Sequence, residues 1–457
     1  MVINVVGLTP SLIGPHTPRI AQLAGANNGH SVATIRPSLP AVTCTQQATY
    51  LTGTLPQEHG IVGNGWYFKD DCEIRFWRQS DKLVQRPRIW EIARKIDPGF
   101  TVANCFWWYA MYSSADYTVT PRPMYPADGR KLPDVWTHPP ALRGELQRTL
   151  GQFPLFKFWG PGADIDSSRW ITSSAIEVDR RFNPTLNLVY LPHLDYCLQK
   201  YGPGAPEIAA ELTRVDAEVG RLLDHAGETG TRVIVLSEYG ISAVNQPIHI
   251  NRALRQAGLI TVRDELGHEL LDAGASAAFA VADHQIAHVY LNDESKRDAV
   301  RQVLKQLPGV AGVFEGEGRR EIGLNHDRAG DFVCLSQPNA WFTYYYWLND
   351  ERAADFAHTV EIHRKPGYDP VELFLDPKIK SPKLTIGRKL IARKLGFRAL
   401  LDVIPLDANL VRGSHGVVPT SSAEAPVLIS SQRNLLDRHE FESTDVLGVI
   451  LNHCQAG

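Results

Sequence analysis

Short runs of apolar and β-branched residues alternate along the chain with longer amphipathic stretches, and this alternation limits the possible folds more than any other feature. The clearest runs, residues 2–7, 186–192, 231–240 and 425–431, each end at a glycine, a proline or a polar turn. Such runs are typical of strands that are buried on both faces of a parallel sheet. Between them, segment 205–227 has apolar residues at helical spacing and ends in glycine. The pattern predicts a doubly wound α/β domain.

The composition fits a large folded protein. The chain has 457 residues, 44% of them hydrophobic and 21% charged, which excludes a mainly disordered protein. At roughly 150 residues per domain, this length suits two or three domains or one large α/β domain with an insertion. The formal net charge of −3 produces no overall electrostatic field that would attract a nucleic acid or an anionic bilayer, although a local basic patch could bind either one. We therefore expect no nucleic acid polymer as a partner.

The N-terminal apolar run is short and has no basic segment before it. Gly7, Pro10, Gly14 and Pro15 interrupt it, so it predicts neither a signal peptide nor a membrane span. The 6 cysteines are scattered without a C-x-x-C pair, which favours reduced thiols over disulfides or a thiolate zinc site. We expect a cytoplasmic protein without a transmembrane segment, and its oligomeric state stays open.

Three regions differ from this α/β pattern. Residues 66–170 hold most of the tryptophans; the rings pack a satellite core under long loops or, alternatively, form an aromatic wall over a ligand cleft. Residues 270–345 have a strand, helix, strand, strand order that indicates a small α+β insertion. Residues 378–398 carry basic side chains and no acidic one. A solvated helix explains that segment, and a surface for phosphate-bearing ligands or lipid headgroups is the alternative.

These regions suggest how the chain is divided. We expect an α/β core over residues 1–265, including the aromatic-rich loops. An inserted α+β subdomain with the basic segment would follow over 266–400, and residues 401–457 would complete the core.

A hydroxyl-rich segment around residue 43 is the first candidate for chemistry. Thr43, Thr45 and Thr49 follow a proline-punctuated run and precede a possible helix, which places Thr43 near a helix N-terminus. There, unpaired backbone N–H groups and the helix dipole favour an anion and lower the cost of forming an alkoxide. An ordinary helix N-cap is the alternative role for Thr43.

The same region carries a family resemblance. Residues 36–67 read RPSLPAVTCTQQATYLTGTLPQEHGIVGNGWY. The pattern P-S-x-P-x-V-T, T-G, P-x-x-H-G-I-V-G-N-x-x-Y resembles the nucleophile region of type I phosphodiesterase/nucleotide pyrophosphatases, members of the alkaline phosphatase superfamily. The order of motifs fits from residue 2 to about residue 431. More narrowly, the chain resembles the phosphodiesterase-like proteins of the Ebo metabolite gene cluster, which implies a role in secondary or precursor metabolism.

The resemblance implies an alkaline-phosphatase-like fold: a doubly wound, mostly parallel sheet with helices on both faces and a small α+β insertion. It also implies hydrolysis of phosphodiester, pyrophosphate or phosphate-ester bonds in a small phosphate-containing molecule. In the family a threonine attacks phosphorus beside two zinc ions. Early Asp and Thr, a central Asp-x-x-x-His, an Asp-His pair and a late His hold the ions. From the threonine onward, the matching positions are Thr43, Asp195, Gln199, Glu238, Tyr239 and His415.

One of the two metal positions lacks its early carboxylate. Val6 stands where the family has Asp, and residues 1–57 contain no Asp or Glu. A dication needs anionic oxygen to offset its desolvation, and neither Val6 nor the amide of Asn4 supplies it. This position is left with Thr43 and Glu238.

The other position keeps Asp195 and His415 but has Gln199 in place of a histidine. We therefore predict Thr43 and Glu238 as catalytic residues, with Glu238 acting as a metal ligand or as the base for Thr43. We predict Asp195, His415 and Glu238 as ligands of a divalent metal, Zn or alternatively Mn, with the number of ions open. Weaker ligand candidates are Gln199, His193, His249, His284 and His288.

Three functions are consistent with these residues. The first, which we take as the prediction, is a hydrolase that uses Thr43 with one metal or a rebuilt pair. The second is a metal-free or single-metal enzyme of other group-transfer or biosynthetic chemistry, with Arg36 or Arg412 placed where a metal would stand. The third is a binding protein that has lost its metals and its catalysis.

Overall fold

The computed structural model describes residues 1–25, 32–397 and 399–455. The strands, in chain order, are β1 (Val2–Val5), β2 (Ala33–Arg36), β3 (Gly65–Phe68), β4 (Glu73–Phe76), β5 (Val102–Cys105), β6 (Tyr117–Pro121), β7 (Val135–His138), β8 (Leu186–Leu191), β9 (Ile234–Leu236), β10 (Ser242–Ala243), β11 (Gln246–Ile248), β12 (Val262–Glu265), β13 (His268–Leu271), β14 (Ala278–Asp283), β15 (Ile286–Leu291), β16 (Val310–Glu315), β17 (Phe332–Ser336), β18 (Ala340–Phe342), β19 (Gly413–Ser414), β20 (Val427–Ser430) and β21 (Glu440–Glu442).

The α-helices are α1 (Pro18–Ala24), α2 (Thr43–Thr52), α3 (Pro56–His59), α4 (Ile89–Ala93), α5 (Ala141–Leu150), α6 (Ile165–Phe182), α7 (His193–Tyr201), α8 (Glu207–Thr229), α9 (Ile250–Gln256), α10 (Arg297–Gln306), α11 (Gly318–Glu321), α12 (Pro382–Lys394) and α13 (Val446–Gln455). Short 3-10 turns join several of these elements.

A mostly parallel sheet forms the centre of the molecule. Its nine strands run in the order β21-β2-β20-β9-β1-β8-β5-β6-β7. Only β20 and β7 pair in an antiparallel sense with their neighbours. The predicted α/β fold is confirmed, and the four apolar runs that indicated it form β1, β8, β9 and β20.

The central strands are buried because strands flank them on both sides and helices cover the sheet. Every residue of β1 and β8 is buried, as the continuous apolar runs predict. The amphipathic segment forms α8, whose buried face includes Ile208, Leu212 and Val219. Helices α1, α6 and α7 pack against α8, while α13 packs against α2 and α4.

The sheet brings four loops to one edge. Strands β1, β2, β8 and β9 all point the same way, so their carboxyl ends lie at the same edge. Beyond these ends come Val6-Gly7, the loop to α2, the start of α7, and Ser237-Glu238-Tyr239. The carboxyl edge of a parallel sheet is where α/β proteins place their ligand sites.

A second, antiparallel sheet lies between residues 278 and 336, in the order β14-β15-β17-β16, and it belongs to a second hydrophobic core. The division of the chain at residues 265 and 400 stays a prediction. A two-residue turn, His284-Gln285, joins β14 to β15. The backbone of His284 has φ 61°, a left-handed conformation that non-glycine residues rarely adopt.

Several tryptophans of segment 66–170 pack in the hydrophobic cores, and the aromatic wall over a ligand cleft stays a prediction. Trp66, Trp90 and Trp107 are buried in the two cores. Trp77 and Trp159 are half-buried, and their ring centroids lie 6.1 Å and 5.6 Å from that of Tyr368, which borders the candidate site.

In the described part of the chain, no helix is both long and apolar enough to cross a bilayer. Most of the basic segment 378–398 forms α12, and its last basic residue, Arg398, lies outside the described residues. The six cysteines are free thiols.

Candidate active site at the carboxyl edge of the sheet

Thr43 is the first residue of α2, next to the carboxyl edge of the sheet. The preceding residue, Val42, is extended and offers no side-chain cap to the helix. The first turn therefore relies on other partners, and Asn64 Oδ1 accepts a hydrogen bond from the Cys44 backbone N–H at 3.0 Å. The Thr43 hydroxyl is buried and lies 2.9 Å from the Tyr239 hydroxyl.

Tyr239 connects Thr43 to a buried carboxylate. Its hydroxyl donates to Asp195 Oδ1 at 3.2 Å, so its oxygen is free to accept the Thr43 proton. Asp195 lies in the first turn of α7, and its other oxygen, Oδ2, accepts from Gln199 Nε2 at 2.9 Å. The result is a chain of hydrogen bonds from the candidate nucleophile to a carboxylate.

His415 closes the cluster from the far end of the chain. Its ring stacks on that of Tyr239, with centroids 3.6 Å apart and an interplanar angle of 5°. His415 Nδ1 lies 2.7 Å from the Ala41 carbonyl and can only donate there, so the lone pair belongs to Nε2. That buried Nε2 has no hydrogen-bond partner among the described residues and lies 3.6 Å from Asp195 Oδ1.

A glycine lets the His415 loop approach the β14–β15 turn. Gly416 has φ 129°, and a Cβ there would lie 3.0 Å from the Gln285 backbone nitrogen. Gln285 in turn donates its N–H to the His415 carbonyl at 2.8 Å. This contact fixes His415 against the second sheet.

Glu238 lies beside the cluster and is bound by two amides. Its Oε1 accepts from Asn4 Nδ2 and from Gln47 Nε2, each at 2.5 Å. Asn4 is on β1, and Gln47 is four residues after Thr43 on the same face of α2. Burial raises the pKa of Glu238 to about 8, against the opposing effect of these hydrogen bonds.

The cluster is short of positive charge. Burial raises the pKa of Asp195 to about 7, and the groups that oppose this rise are neutral, the Gln199 amide and the Tyr239 hydroxyl. Burial also lowers the pKa of His415 well below its usual range, which keeps the imidazole neutral. Two buried carboxyl groups without a cationic partner favour either protonation or the binding of a cation.

His284 is a second imidazole in the cluster. Its ring lies between those of His415 and Tyr368, with centroids 3.8 Å and 3.7 Å away. Its Nδ1 lies 2.7 Å from Asp283 Oδ1, and its buried Nε2 has no partner in the described part of the chain. Burial lowers the pKa of His284, so the ring is neutral and Nε2 keeps its lone pair.

The other ligand candidates have structural partners. Gln199 accepts from the Tyr368 hydroxyl at 2.9 Å, besides its bond to Asp195. His249 lies 2.8 Å from the Thr343 hydroxyl, and both ring nitrogens of His288 bond to backbone groups. His193 lies 2.6 Å from Glu211, on the side of α7 that faces α8. Arg36 and Arg412, the two candidate cations, are exposed on the surface.

The two metal positions of the family differ in the donor atoms that remain. In the second position Val6 is apolar and both amides bind Glu238 Oε1. This leaves as donors there Thr43 and the buried Glu238 Oε2, which has no partner within the ranges that the structure describes. In the first position, the 3.6 Å between Asp195 Oδ1 and His415 Nε2 suits two ligands of one ion. Two ligands about 2.1 Å from a tetrahedral zinc lie about 3.4 Å apart. His415 also donates its second nitrogen to a carbonyl, as metal-binding histidines do.

A separate donor group lies on the opposite side of α7. His193, Cys197 and Glu211 have donor atoms within 4.8 Å of one another, and among the described residues no other trio of His, Cys, Asp or Glu meets that limit. They line a cavity of about 180 Å³ together with Lys200 and Arg214. This group could hold a metal ion independently of the Thr43 cluster.

The sequence did not reveal the hydrogen-bonding residues of the cluster. The sequence marks Tyr239 only as a departure from the family's histidine, and it gives no signal at Gln47. Asn4 gave a usable signal, because an amide inside an apolar strand must find a buried partner. Nothing in the sequence pointed to the stacking of Tyr368 on His284.

Known proteins of one family resemble the chain in sequence. The family model of type I phosphodiesterase/nucleotide pyrophosphatase matches residues 1–369. An uncharacterised pyrophosphatase/phosphodiesterase of Schizosaccharomyces pombe is 24% identical over 235 residues, which cover 50% of this chain and 41% of that protein. Ectonucleotide pyrophosphatase/phosphodiesterase 1 of Saccharomyces cerevisiae is 25% identical over 369 residues, covering 73% of this chain and 45% of that protein. The chain thus spans less than half the length of these relatives.

Solved structures show the same fold. An inactive variant of murine ectonucleotide pyrophosphatase/phosphodiesterase 5, in complex with AMP, superposes with a TM-score of 0.57 at 14% identity, covering 99% of this chain and 94% of that chain. Phosphonoacetate hydrolase from Sinorhizobium meliloti 1021, in complex with phosphonoacetate, gives a TM-score of 0.58 at 16% identity, covering 99% and 95%. Identities this low establish the architecture alone.

Proposed function

Because the chain belongs to the type I phosphodiesterase/nucleotide pyrophosphatase family, we propose that it hydrolyses phosphodiester, pyrophosphate or phosphate-ester bonds with Thr43 as the nucleophile. The observation that carries this proposal is the hydrogen-bonded chain from Thr43 through Tyr239 to Asp195, at the N-terminus of a helix. The substrate is a small phosphate-containing molecule. Of the two solved structures that share the fold, one holds a phosphate ester, AMP, and the other holds a phosphonate, phosphonoacetate.

The reaction has two displacement steps. The Thr43 oxygen attacks phosphorus, its proton passes to Tyr239 as the Tyr239 proton passes to Asp195, and the leaving group departs with its bonding electrons as an anion. Water then attacks the phosphothreonine and gives one proton to solvent, from which the released anion takes up a proton. The Thr43 oxygen leaves phosphorus and regains its proton from Asp195 through Tyr239, which restores the Thr43 hydroxyl and the ionised Asp195. The positive end of the α2 dipole stabilises the negative charge that develops on the phosphoryl oxygens.

In the resting site, where Asp195 is ionised, Asp195 and His415 would hold one divalent ion, with His284 the neighbouring neutral imidazole. The ligand role and the proton-acceptor role of Asp195 therefore belong to different protonation states of the site. Such an ion, Zn or alternatively Mn, supplies the positive charge that the cluster lacks and neutralises charge on the phosphoryl group. Glu238 positions Asn4 and Gln47 behind Thr43 and is not assigned as a ligand. A cytoplasmic location stays a prediction.

The test is the replacement of Thr43. We expect Thr43→Ala to lower kcat on bis(para-nitrophenyl) phosphate by about 10³-fold or more, because it removes the hydroxyl that forms the covalent intermediate. Thr43→Ser keeps the hydroxyl and serves as the matched control, with a rate within about tenfold of the parent protein.

Both variants should keep the circular dichroism spectrum and the thermal unfolding midpoint of the parent. Equal rates for Thr43→Ala and the parent would overturn the proposal. So would a parent protein that binds the phosphodiester but never turns it over, since that result would identify a binding protein.

A further inference from the structure

Helix α12 and the residues after it expose apolar side chains that would ordinarily be buried. Leu384, Ile391 and Leu395 are 74%, 60% and 70% exposed. Six of the fourteen large hydrophobic side chains exposed in the described residues lie between 384 and 400, so they form a group and are not scattered singly. A contiguous exposed apolar patch usually marks an interaction surface.

Three of these side chains line up in one stripe along the helix and the turn after it. Leu384 and Ile391 are seven residues apart on one face of α12, and Leu395 follows four residues later, in the turn that begins where α12 ends at Lys394. Leu390, which is 49% exposed, lies on a different face of the helix. On another face, Ile386 packs against the second hydrophobic core and Lys389 forms an ion pair with Asp402. The helix is therefore attached to the protein body on one side and carries leucine and isoleucine to solvent on the other.

Basic residues flank this stripe. Segment 378–398 has eight Lys or Arg and no Asp or Glu, although the whole chain has a net charge of −3. Five of these basic residues are exposed in the structure: Lys378, Lys380, Lys383, Arg388 and Lys394. On the helix, Lys383 and Lys394 lie to one side of the stripe and Arg388 lies to the other. Apolar residues in the middle with cations at the borders are typical of helices that lie in a membrane interface.

We propose that α12 docks the protein on an anionic lipid surface, with Leu384, Ile391 and Leu395 entering the headgroup region and the flanking lysines and arginine contacting lipid phosphates. The charge complementarity favours this occupant. A second copy of the chain would have to place one basic segment against another in a two-fold contact, which like charges oppose. A nucleic acid is a poorer partner, because its charged phosphates would contact the apolar stripe. This inference is independent of the Thr43 chemistry.

The experiment is co-sedimentation of the full-length protein with lipid vesicles. We expect binding to vesicles of three parts phosphatidylcholine and one part phosphatidylglycerol, and about tenfold weaker binding to pure phosphatidylcholine. Binding should weaken further as salt rises, because exposed charges are screened. Two variants test the two kinds of contact, and each should weaken binding by about tenfold or more. One is the triple variant Leu384→Ser, Ile391→Ser, Leu395→Ser, which removes the apolar stripe. The other is the double variant Lys383→Glu, Lys394→Glu, which reverses two of the flanking charges.

The matched control is Leu266→Ser, which removes a fully exposed leucine in the β12–β13 turn and should bind vesicles like the parent. All variants should keep the parent's unfolding midpoint and its rate on a soluble aryl phosphodiester. Vesicle binding that the triple variant retains would overturn the proposal, as would an absence of binding. A dimer in light scattering that the triple variant abolishes would also overturn it, by assigning the stripe to self-association.

Discussion

The Tyr239 hydroxyl lies between the Thr43 hydroxyl and Asp195, at 2.9 Å and 3.2 Å, and its ring stacks on His415. A phenol in this position can accept one proton while it donates another, so it can couple deprotonation of Thr43 to protonation of Asp195. The histidine that the family has here would bind a metal ion instead. At the scale of single residues, Tyr239 thus gives the Thr43 hydroxyl a proton acceptor within hydrogen-bond distance.

Replacing Tyr239 by Phe tests this role. The change removes one oxygen and leaves the ring stack on His415, so we expect the fold to persist and kcat to fall by about 10²-fold, the usual contribution of positioned proton transfer. KM for the phosphodiester should change little, because the hydroxyl is engaged with Thr43 and Asp195 before substrate binds. Steady-state kinetics separates the two parameters.

Tyr290→Phe is the control for Tyr239→Phe. The Tyr290 hydroxyl is also buried and bonded, but it donates to the Arg328 carbonyl at 2.8 Å, away from the cluster. If both variants lose activity equally, or neither does, Tyr239 has no part in proton transfer.

At the scale of elements, Asn64 joins α2 to the β14–β15 hairpin. Its Oδ1 accepts from the Cys44 N–H at 3.0 Å, and its Nδ2 donates to Asp283 Oδ1 at 3.1 Å. Asp283 also accepts the Asn64 backbone N–H at 2.8 Å and lies 2.7 Å from His284 Nδ1. One amide therefore connects the helix that presents Thr43 with the turn that presents His284.

We expect Asn64→Ala to destabilise the protein by about 2–3 kcal/mol, because it leaves a buried N–H and a buried carboxylate oxygen each short of a partner. Thermal unfolding followed by circular dichroism measures the change. Asn339→Ala, which removes an exposed amide bonded to Asn245, should change stability by no more than about 0.5 kcal/mol. Equal losses in the two variants would show that Asn64 makes no special connection.

How far the sequence predicts an element depends on whether its pattern is local. Strands β1, β8 and β9 and helix α8 were predictable because burial imposes an apolar pattern within a few consecutive residues. The position of His284 was not, since a non-glycine residue with φ 61° persists only where tertiary contacts hold it. The contacts that fix the backbone of His284 come from residues distant in sequence, such as Phe342, whose N–H donates to the His284 carbonyl at 2.7 Å.

At the scale of the whole molecule, the cluster is assembled from segments far apart in the chain. His415 bonds to the Ala41 carbonyl across a separation of 374 residues, and Asp195 comes from the middle of the sequence. The resemblance placed Thr43, Asp195, Glu238 and His415 in one site because family motifs preserve their order. It could not foresee the amides around Glu238, which depend on side-chain packing.

Metal binding should consequently stabilise the entire fold. The donor atoms of Asp195 and His415 come together only in the native state, so an ion held by them shifts the folding equilibrium. At a hundred times its dissociation constant, the ion adds about 2.7 kcal/mol to the free energy of unfolding. We expect Zn²⁺, or alternatively Mn²⁺, to raise the Tm of the chelator-treated protein by several degrees in differential scanning calorimetry.

Two variants locate the ion responsible for that rise. His415→Ala removes one donor of the Thr43 cluster and should abolish the metal-dependent rise in Tm, measured against the variant's own metal-free Tm. Cys197→Ala removes a donor of the separate His193, Cys197 and Glu211 group and should leave the rise intact. The reverse pattern would place the ion on the far side of α7, and the Thr43 cluster would then have to stabilise phosphoryl charge through hydrogen bonds and the dipole of α2 alone.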